Sequence, residues 1–255
     1  MIVKLFGNRL FLAPFKLETG SRVLESAAGT ENNAGIWALE FFEEHRKNDI
    51  ILNMDCIDIS DRQFPRDHPS NMHFFVSSVT DLPAEWIGRF SFVHQRLLVS
   101  ALNDTLWRQA ISELFRVLVP GGWLELVEAE GKDVHYGIGP NSTRLQSIFL
   151  QVYENKGHSG DLTALLSLVE KTGFVDIQSE IRPSRIGPSG ENGYSSGEIG
   201  NFFRGLKRDV IEDGGGIYGV TEEEYESLVQ ESELEWNMTP DKAHVFYRTI
   251  VARKP

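Results

Sequence analysis

The sequence predicts an α/β fold in which helices cover both faces of a mostly parallel sheet. Strand and helix patterns alternate through the first half of the chain, as they do in βαβ units. A loop of small residues, Ser26–Thr30, separates the first strand from the first helix, and such a loop lets the backbone approach a ligand closely. The length of 255 residues suits one large domain, so we predict a single domain over residues 1–255.

Each element of the first half follows from its local pattern. Short apolar or alternating runs predict strands at Val23–Glu25, Ile50–Ile59, His73–Val76, Phe90–Gln95 and Trp123–Val127. The first helix, Gly35–Arg46, places Ile36, Leu39 and Phe42 on one face. The second, Thr105–Leu118, carries apolar residues at core spacing and ends at the breaker Pro120-Gly121-Gly122.

The second half is richer in helices. Predicted helices are Asn141–Tyr153, Leu162–Lys171, Glu198–Val210 and Glu222–Trp236, and predicted strands are Val175–Ile181 and His244–Ala252. Two glycine-rich segments, Gly187–Gly200 and Gly214–Gly219, are either exposed connections or a mobile lid over a ligand. Tyr194 and Tyr218 favour the lid, because they stand among small residues.

Composition excludes several classes of function. The net charge of −12 and the pI of about 5.1 argue against nucleic acid or an anionic membrane as the partner. Cys56 is the single cysteine, which excludes an internal disulfide and a cysteine-based zinc site. No apolar run approaches the length of a membrane span, and the first residues lack a signal-peptide layout. We therefore expect an intracellular, cytoplasmic protein without a metal site.

Polar residues at the strand exits indicate where a ligand binds. In open α/β sheets, ligands bind beyond the carboxyl ends of the strands. Glu25 and the small loop follow the first strand, Asp58 ends the second, Ser77–Val79 follow the third, and His94–Arg96 end the fourth. An acidic residue at the end of the second strand can accept hydrogen bonds from both hydroxyls of a ribose. The pattern indicates an adenosine-containing cofactor.

Five motifs in order resemble a known family. They are VLESAAGT with GIWALEF, CIDISDRQFP, VSSVTDLP, FSFVHQR and LFRVLVPGGWLELVE, preceded by LFGNRLFLAP. Together they resemble class I S-adenosylmethionine-dependent methyltransferases, and more narrowly the small-molecule methyltransferases of fungal secondary metabolism. The resemblance covers residues 5–130 well. It implies a Rossmann-like, doubly wound sheet, mostly parallel and seven-stranded, with an antiparallel terminal strand.

The resemblance also implies roles for individual residues. It implies a lead-in over residues 1–20, a cofactor-binding core over 21–130, and sheet completion with a substrate or lid region over 131–255. The acceptor would be a small organic molecule, and S-adenosylmethionine would become S-adenosylhomocysteine. The implied cofactor-binding residues are Glu25, Ala27, Gly29 and Thr30 facing the methionine part, Gly35 at the helix start, Asp58 at the ribose hydroxyls, Ile59 at the adenine, Ser78 and Val79 at the adenine amino group and ring, and His94 and Gln95 beside the sulfonium. His94 is also the candidate catalytic base, needed only if the acceptor loses a proton.

Departures from the family keep other interpretations open. Ala27 stands where glycine is usual, and Ser78 where an acidic residue is usual. Glu31–Ala34 form an insertion that either extends the helix into the methionine site or bulges outward and leaves the pocket intact. The N-terminal helical segment of the family is expected to be shortened or absent here. These departures predict weakened cofactor binding, or a degenerate fold that acts as a regulatory or binding protein.

Further alternatives concern single residues and other reactions. Asp58 could merely cap the loop that follows the second strand, and His94 could be a hydrogen-bonded turn histidine without a catalytic role. A nicotinamide-dependent oxidoreductase is disfavoured, since the sequence contains no G-x-G-x-x-G fingerprint. A methyltransferase-like fold that catalyses a different biosynthetic reaction also stays open.

Overall fold

A computed structural model describes residues 5–29, 36–62, 64–132, 134–158, 160–190, 193–212 and 218–255. The strands are β1 (Arg22–Ser26), β2 (Asn53–Asp58), β3 (Met72–Val76), β4 (Phe90–Arg96), β5 (Leu118–Ala129), β6 (Val175–Gly187), β7 (Gly193–Ser195) and β8 (His244–Arg253). The α-helices are α1 (Ile36–Lys47), α2 (Asp104–Val117), α3 (Pro140–Asn155), α4 (Leu162–Thr172), α5 (Ser196–Gly205), α6 (Lys207–Glu212) and α7 (Glu222–Met238). None of these helices is long and apolar enough to cross a membrane.

The strands form one mixed sheet in the order β3-β2-β1-β4-β5-β8-β6-β7. Strands β1 to β5 pair in parallel. Strand β8 runs antiparallel to β5, since Lys254 at its end bonds to Gly121 and Gly122 at the start of β5, whereas Phe246 bonds to Glu130 beyond its end. The predicted mostly parallel α/β sheet with an antiparallel terminal strand is confirmed. The described residues hold eight strands rather than the predicted seven, because the three-residue β7 adds an edge.

Contacts between residues divide the chain into two units. The sheet unit comprises Phe6–Glu128, Thr163–Glu180 and Arg248–Pro255, and the helical unit comprises Met1–Leu5, Ala129–Leu162 and Ile181–Tyr247. In the sheet unit, one core cluster joins the buried faces of β1, β2, β4 and α1 with the segment before β1. In the helical unit, α3, α5 and α7 pack together, and the indole N–H of Trp236 donates to the Tyr136 carbonyl at 2.7 Å.

The predicted helices and strands are present, but several boundaries differ from the prediction: β2 begins at Asn53 rather than Ile50, and β6 extends to Gly187 rather than ending at Ile181. The turn Pro120-Gly121-Gly122 ends α2 as expected, yet it lies inside β5 instead of before it. Gly121 adopts a φ of +81°, and the backbone there pairs with Lys254, so partners distant in sequence hold the turn in the sheet.

The predicted helix Glu198–Val210 is two helices. Ser195 caps α5 by accepting from the Glu198 N–H, so that helix starts at Ser196, and it ends at Gly205 before α6 begins. The segment Gly187–Gly200 therefore contains the end of β6, all of β7 and the first turn of α5 rather than loop alone. Most of Gly214–Gly219 lies outside the described residues, as does the insertion Glu31–Ala34.

Candidate cofactor site

A cleft opens at the carboxyl ends of β1, β2 and β3, entirely within the sheet unit. Its volume is about 220 Å³, and its lining is mostly apolar with a few hydroxyls and one carboxylate. The lining residues are Ser26, Ala27, Ile57, Asp58, Ile59, Ser77, Ser78, Val79, Thr80, Leu98, Ala101, Leu102 and Leu106. This is the edge of a parallel sheet at which small ligands bind.

Asp58 organises one side of the cleft. Its Oδ2 accepts the Gly29 N–H at 3.1 Å, and its Oδ1 accepts the Ser60 N–H at 3.1 Å. These are the contacts that the loop-capping interpretation requires. An ionised carboxylate offers about four acceptor positions, so two bonds leave room for two hydroxyl donors from a ligand. Capping and ligand binding are therefore compatible at this residue.

The loop after β1 takes a strained turn beside Asp58. Ala27 adopts a φ of +61°, the left-handed region that glycine occupies without steric cost. The next residue, Ala28, donates its N–H to the Ile57 carbonyl at 2.8 Å, which fixes the loop to β2. The backbone at Ala27 thus has a conformation that is typical of glycine, and the methyl group of Ala27 lines the cleft.

The segment after β3 forms the opposite wall. The Ser77 N–H donates to the Asp58 carbonyl at 2.9 Å, so this wall is tied to β2. The Ser78 hydroxyl accepts the Thr80 N–H at 3.2 Å and shares a 2.8 Å hydrogen bond with the Thr80 hydroxyl. Val79 between them is 6% exposed, whereas Ile59 across the cleft is 78% exposed. This wall therefore combines an apolar side chain with hydroxyl groups.

Glu25 and His94 lie behind the cleft rather than in its lining. The His94 Nδ1 is 2.5 Å from the Glu25 Oε2, and both side chains are buried. The Trp37 ring stacks on the His94 imidazole with 3.6 Å between centroids. Burial lowers the pKa of His94 to about 3 and raises the pKa of Glu25 well above its usual value. The imidazole is therefore neutral at physiological pH, and the pair is a polar element of the core.

Glu128 holds the loop that supplies the far side of the cleft. It stands near the end of β5, and its two carboxyl oxygens accept the N–H groups of Leu98 at 3.1 Å and Val99 at 2.9 Å. Burial raises the pKa of this carboxyl to about 8. Leu98 and Leu102 of the loop line the cleft. The sequence analysis singled out none of these three residues, and the one available signal was Glu128 beside the apolar pair Leu126 and Val127, in a strand that also carries Glu125.

The predicted site residues fall into four groups. Five of them line the cleft: Ala27, Asp58, Ile59, Ser78 and Val79. Gly29 contacts Asp58, while Glu25, His94 and Gln95 are buried behind the cleft, where the Gln95 Oε1 accepts the Ser26 hydroxyl at 3.0 Å. Thr30 and Gly35 lie outside the described residues. The residues assigned to the adenosine half are thus assembled at one opening, whereas the ligand roles themselves stay predictions.

The lining of the cleft joins one carboxylate to hydroxyls, apolar side chains and a backbone turn. The described part of the chain contains no group of three or more His, Cys, Asp or Glu side chains able to hold a metal ion. The methyltransferase-domain family model matches residues 1–179. The chain belongs to this family. The resemblance stated from the motifs is therefore confirmed.

Two curated fungal relatives support the assignment. Methyltransferase pytC of Aspergillus terreus is 32% identical over 131 residues, which cover 51% of this chain and 36% of that protein. N-methyltransferase tcpN of Claviceps purpurea is 26% identical over 239 residues, covering 89% of this chain and 82% of that protein. The chain spans about a third of the length of pytC.

A solved structure supports the fold. The phosphoethanolamine N-methyltransferase 2 of Haemonchus contortus, in complex with S-adenosyl-L-methionine, superposes with a TM-score of 0.54 at 17% identity. The superposition covers 99% of this chain and 56% of the Haemonchus protein. At this identity the likeness concerns the fold of the methyltransferase-domain family alone.

Proposed function

We propose that this protein transfers a methyl group from S-adenosylmethionine to a small organic acceptor. The observation that carries the proposal is the cleft in which Asp58, at the end of β2, faces the turn at Ala27 and the wall at Ser78–Thr80. Membership of the methyltransferase-domain family and the bound cofactor of the Haemonchus relative agree with it.

The residues of the cleft fit the adenosine half of that cofactor. The Asp58 carboxylate would accept the two ribose hydroxyls, in hydrogen bonds strengthened by its charge. Ile59 and Val79 offer apolar contacts on either side of a flat base. The turn at Ala27 and Gly29 brings the backbone close to the ribose, and Gly29 already bonds to Asp58.

Methyl transfer from a sulfonium requires little acid–base catalysis by the protein. The sulfonium of S-adenosylmethionine supplies an activated methyl group, so holding the acceptor in line with that group contributes most of the rate. The buried, neutral His94 would then act by supporting Glu25 at the end of β1. A base is needed only for an acceptor that must lose a proton, and the proposal assigns none.

A small acceptor suits both the charge of the chain and its relatives. A net charge of −12 repels polyanions such as nucleic acids. The relative tcpN is named as an N-methyltransferase, and pytC as a methyltransferase. The nature of the acceptor atom is left to experiment.

Calorimetric titration tests the cofactor half of the proposal. The purified protein is titrated with S-adenosylmethionine and S-adenosylhomocysteine, and we expect micromolar dissociation constants. Asp58→Asn should weaken both by about 10- to 100-fold, because the charge-assisted bonds to the ribose are lost. Asp61→Asn, at an exposed residue outside the cleft lining, is the matched control and should bind normally. Absence of binding, or equal binding by Asp58→Asn, would refute the proposal.

A labelling experiment tests the acceptor class. The protein is incubated with methyl-labelled S-adenosylmethionine in three separate reactions, which contain fungal small molecules, nucleic acid or protein as the candidate acceptor. We expect label only in the small-molecule fraction, with none formed by Asp58→Ala. Label in nucleic acid or protein would overturn the acceptor class while leaving cofactor binding intact.

A further inference from the structure

The wall of the cleft after β3 presents hydroxyls and no charge. Among the described residues that line the cleft, Asp58 has the only ionisable side chain, and Ser77, Ser78 and Thr80 supply the hydroxyls of the facing wall. A carboxylate only accepts hydrogen bonds, whereas a hydroxyl both donates and accepts. The wall with Asp58 therefore binds hydrogen-bond donors of a ligand, whereas the wall after β3 binds donors or acceptors.

The Ser78 and Thr80 hydroxyls form a reversible pair. Their oxygens are 2.8 Å apart, and either one can be the donor. When Ser78 donates to Thr80, Ser78 offers a ligand an acceptor and Thr80 offers a donor. When the bond reverses, Ser78 offers the donor and Thr80 the acceptor. The Thr80 N–H, 3.2 Å from the Ser78 oxygen, takes one lone pair in both states and fixes the position of the oxygen.

Buried apolar side chains line the cleft together with this hydroxyl pair. Val79 stands between Ser78 and Thr80 in the sequence and is 6% exposed, and Ile57 and Leu102 are buried lining residues. A backbone bond of 3.1 Å from the Asp81 N–H to the Ser78 carbonyl closes the turn. The hydroxyl pair is thus held by the backbone, and only its protons need to move.

We propose that this pair lets the cleft accept purine nucleosides carrying either an amino or an oxo group at C6. The inference rests on the proposed function, because it assumes that the base meets this wall. Adenine presents a donor at its 6-amino group beside an acceptor at N1, and hypoxanthine presents an acceptor at O6 beside a donor at N1. The two patterns are inverse, and reversing the Ser78–Thr80 bond matches each in turn.

A carboxylate at this position would remove the tolerance. The carboxylate accepts a hydrogen bond from a 6-amino group but repels a 6-oxo oxygen. Binding of the 6-oxo ligand would then leave buried polar groups without hydrogen-bond partners, which strongly disfavours it. Ser78→Asp is therefore expected to discriminate. Since Ser78 is only partly buried, the substitution adds its charge at an accessible wall of the cleft.

The test is titration of the full chain with S-adenosylhomocysteine and S-inosylhomocysteine, which share their ribose and amino-acid limbs. We expect the dissociation constants to differ by less than about tenfold in the wild type. Ser78→Asp should still bind S-adenosylhomocysteine. The substitution should weaken the binding of S-inosylhomocysteine by a factor at least about tenfold larger than its effect on S-adenosylhomocysteine. Ser77→Asp, the matched control, adds the same charge one residue earlier and should change both constants equally.

The outcomes separate this inference from the proposed function. Binding of S-adenosylhomocysteine with more than about 100-fold rejection of its 6-oxo analogue by the wild type would overturn the inference alone. Equal discrimination by Ser77→Asp and Ser78→Asp would also overturn it, because the base edge would not be read at the hydroxyl pair. Failure of both ligands to bind would overturn the proposed function together with the inference.

Discussion

Replacing Ala27 by glycine should stabilise the protein, against the usual effect of such a change. Ala27 has a φ of +61° in the turn after β1. A left-handed L-residue costs roughly 1–2 kcal/mol, which glycine avoids. Glycine also gives the unfolded chain more freedom, which lowers stability by about 0.4–1 kcal/mol. The difference predicts that the free energy of unfolding rises by about 0.8 kcal/mol, or about 2 °C in Tm for a chain of this size.

The assay is urea unfolding of Ala27→Gly beside Ala28→Gly. Ala28 is 6% exposed and lacks a positive φ, so its substitution removes a packed methyl and adds backbone freedom without relieving strain. We expect Ala28→Gly to lose about 1 kcal/mol or more. The reasoning fails if Ala27→Gly is destabilised as much as Ala28→Gly, since the turn at Ala27 would then be unstrained.

Two further predictions concern buried ionisable groups. Burial raises the pKa of Glu128 to about 8 in the folded state, whereas the ordinary pKa of a glutamate is 4.5. Between these two pH values the folded state keeps a proton that the unfolded state has lost, so raising the pH lowers the stability of the wild type. Glu128→Gln should remove that pH dependence. The free energy of unfolding of the variant, relative to that of the wild type, should therefore rise by at most about 1.4 kcal/mol per pH unit. Urea-unfolding profiles of the two proteins that stay parallel from pH 5 to 8 would contradict this. Cys56 is buried, and burial raises the pKa of its thiol well above 9.0. It should resist a thiol reagent such as 5,5′-dithiobis(2-nitrobenzoate) until urea unfolds the chain, and rapid labelling of the native protein would show that β2 is not packed as described.

The parts of the site predicted from sequence are those that depend on local pattern. An alternating run that ends in a carboxylate places Asp58 at a strand exit, and parallel strands bring their exits to one edge. Ser78 and Val79 follow the next strand for the same reason, and they line the same cleft. These positions need only strand boundaries and the sheet order, which the alternation of elements indicates.

The parts that sequence missed depend on contacts between distant residues. Leu98 and Leu102 reach the cleft through a loop held by Glu128, thirty residues away from Leu98. His94 stands at a strand exit as predicted, but Trp37 covers it and Glu25 binds it, so it is buried. Local periodicity carries no information on which side chain covers another.

The most direct test of the account is a crystal structure of the protein with S-adenosylhomocysteine. We expect the ribose hydroxyls within hydrogen-bond distance of the Asp58 carboxylate, and the base between Ile59 and Val79 with its polar edge toward Ser78. A ligand bound elsewhere, or a cleft that stays empty in crystals grown at a saturating concentration, would contradict the central claim that this cleft is the cofactor site.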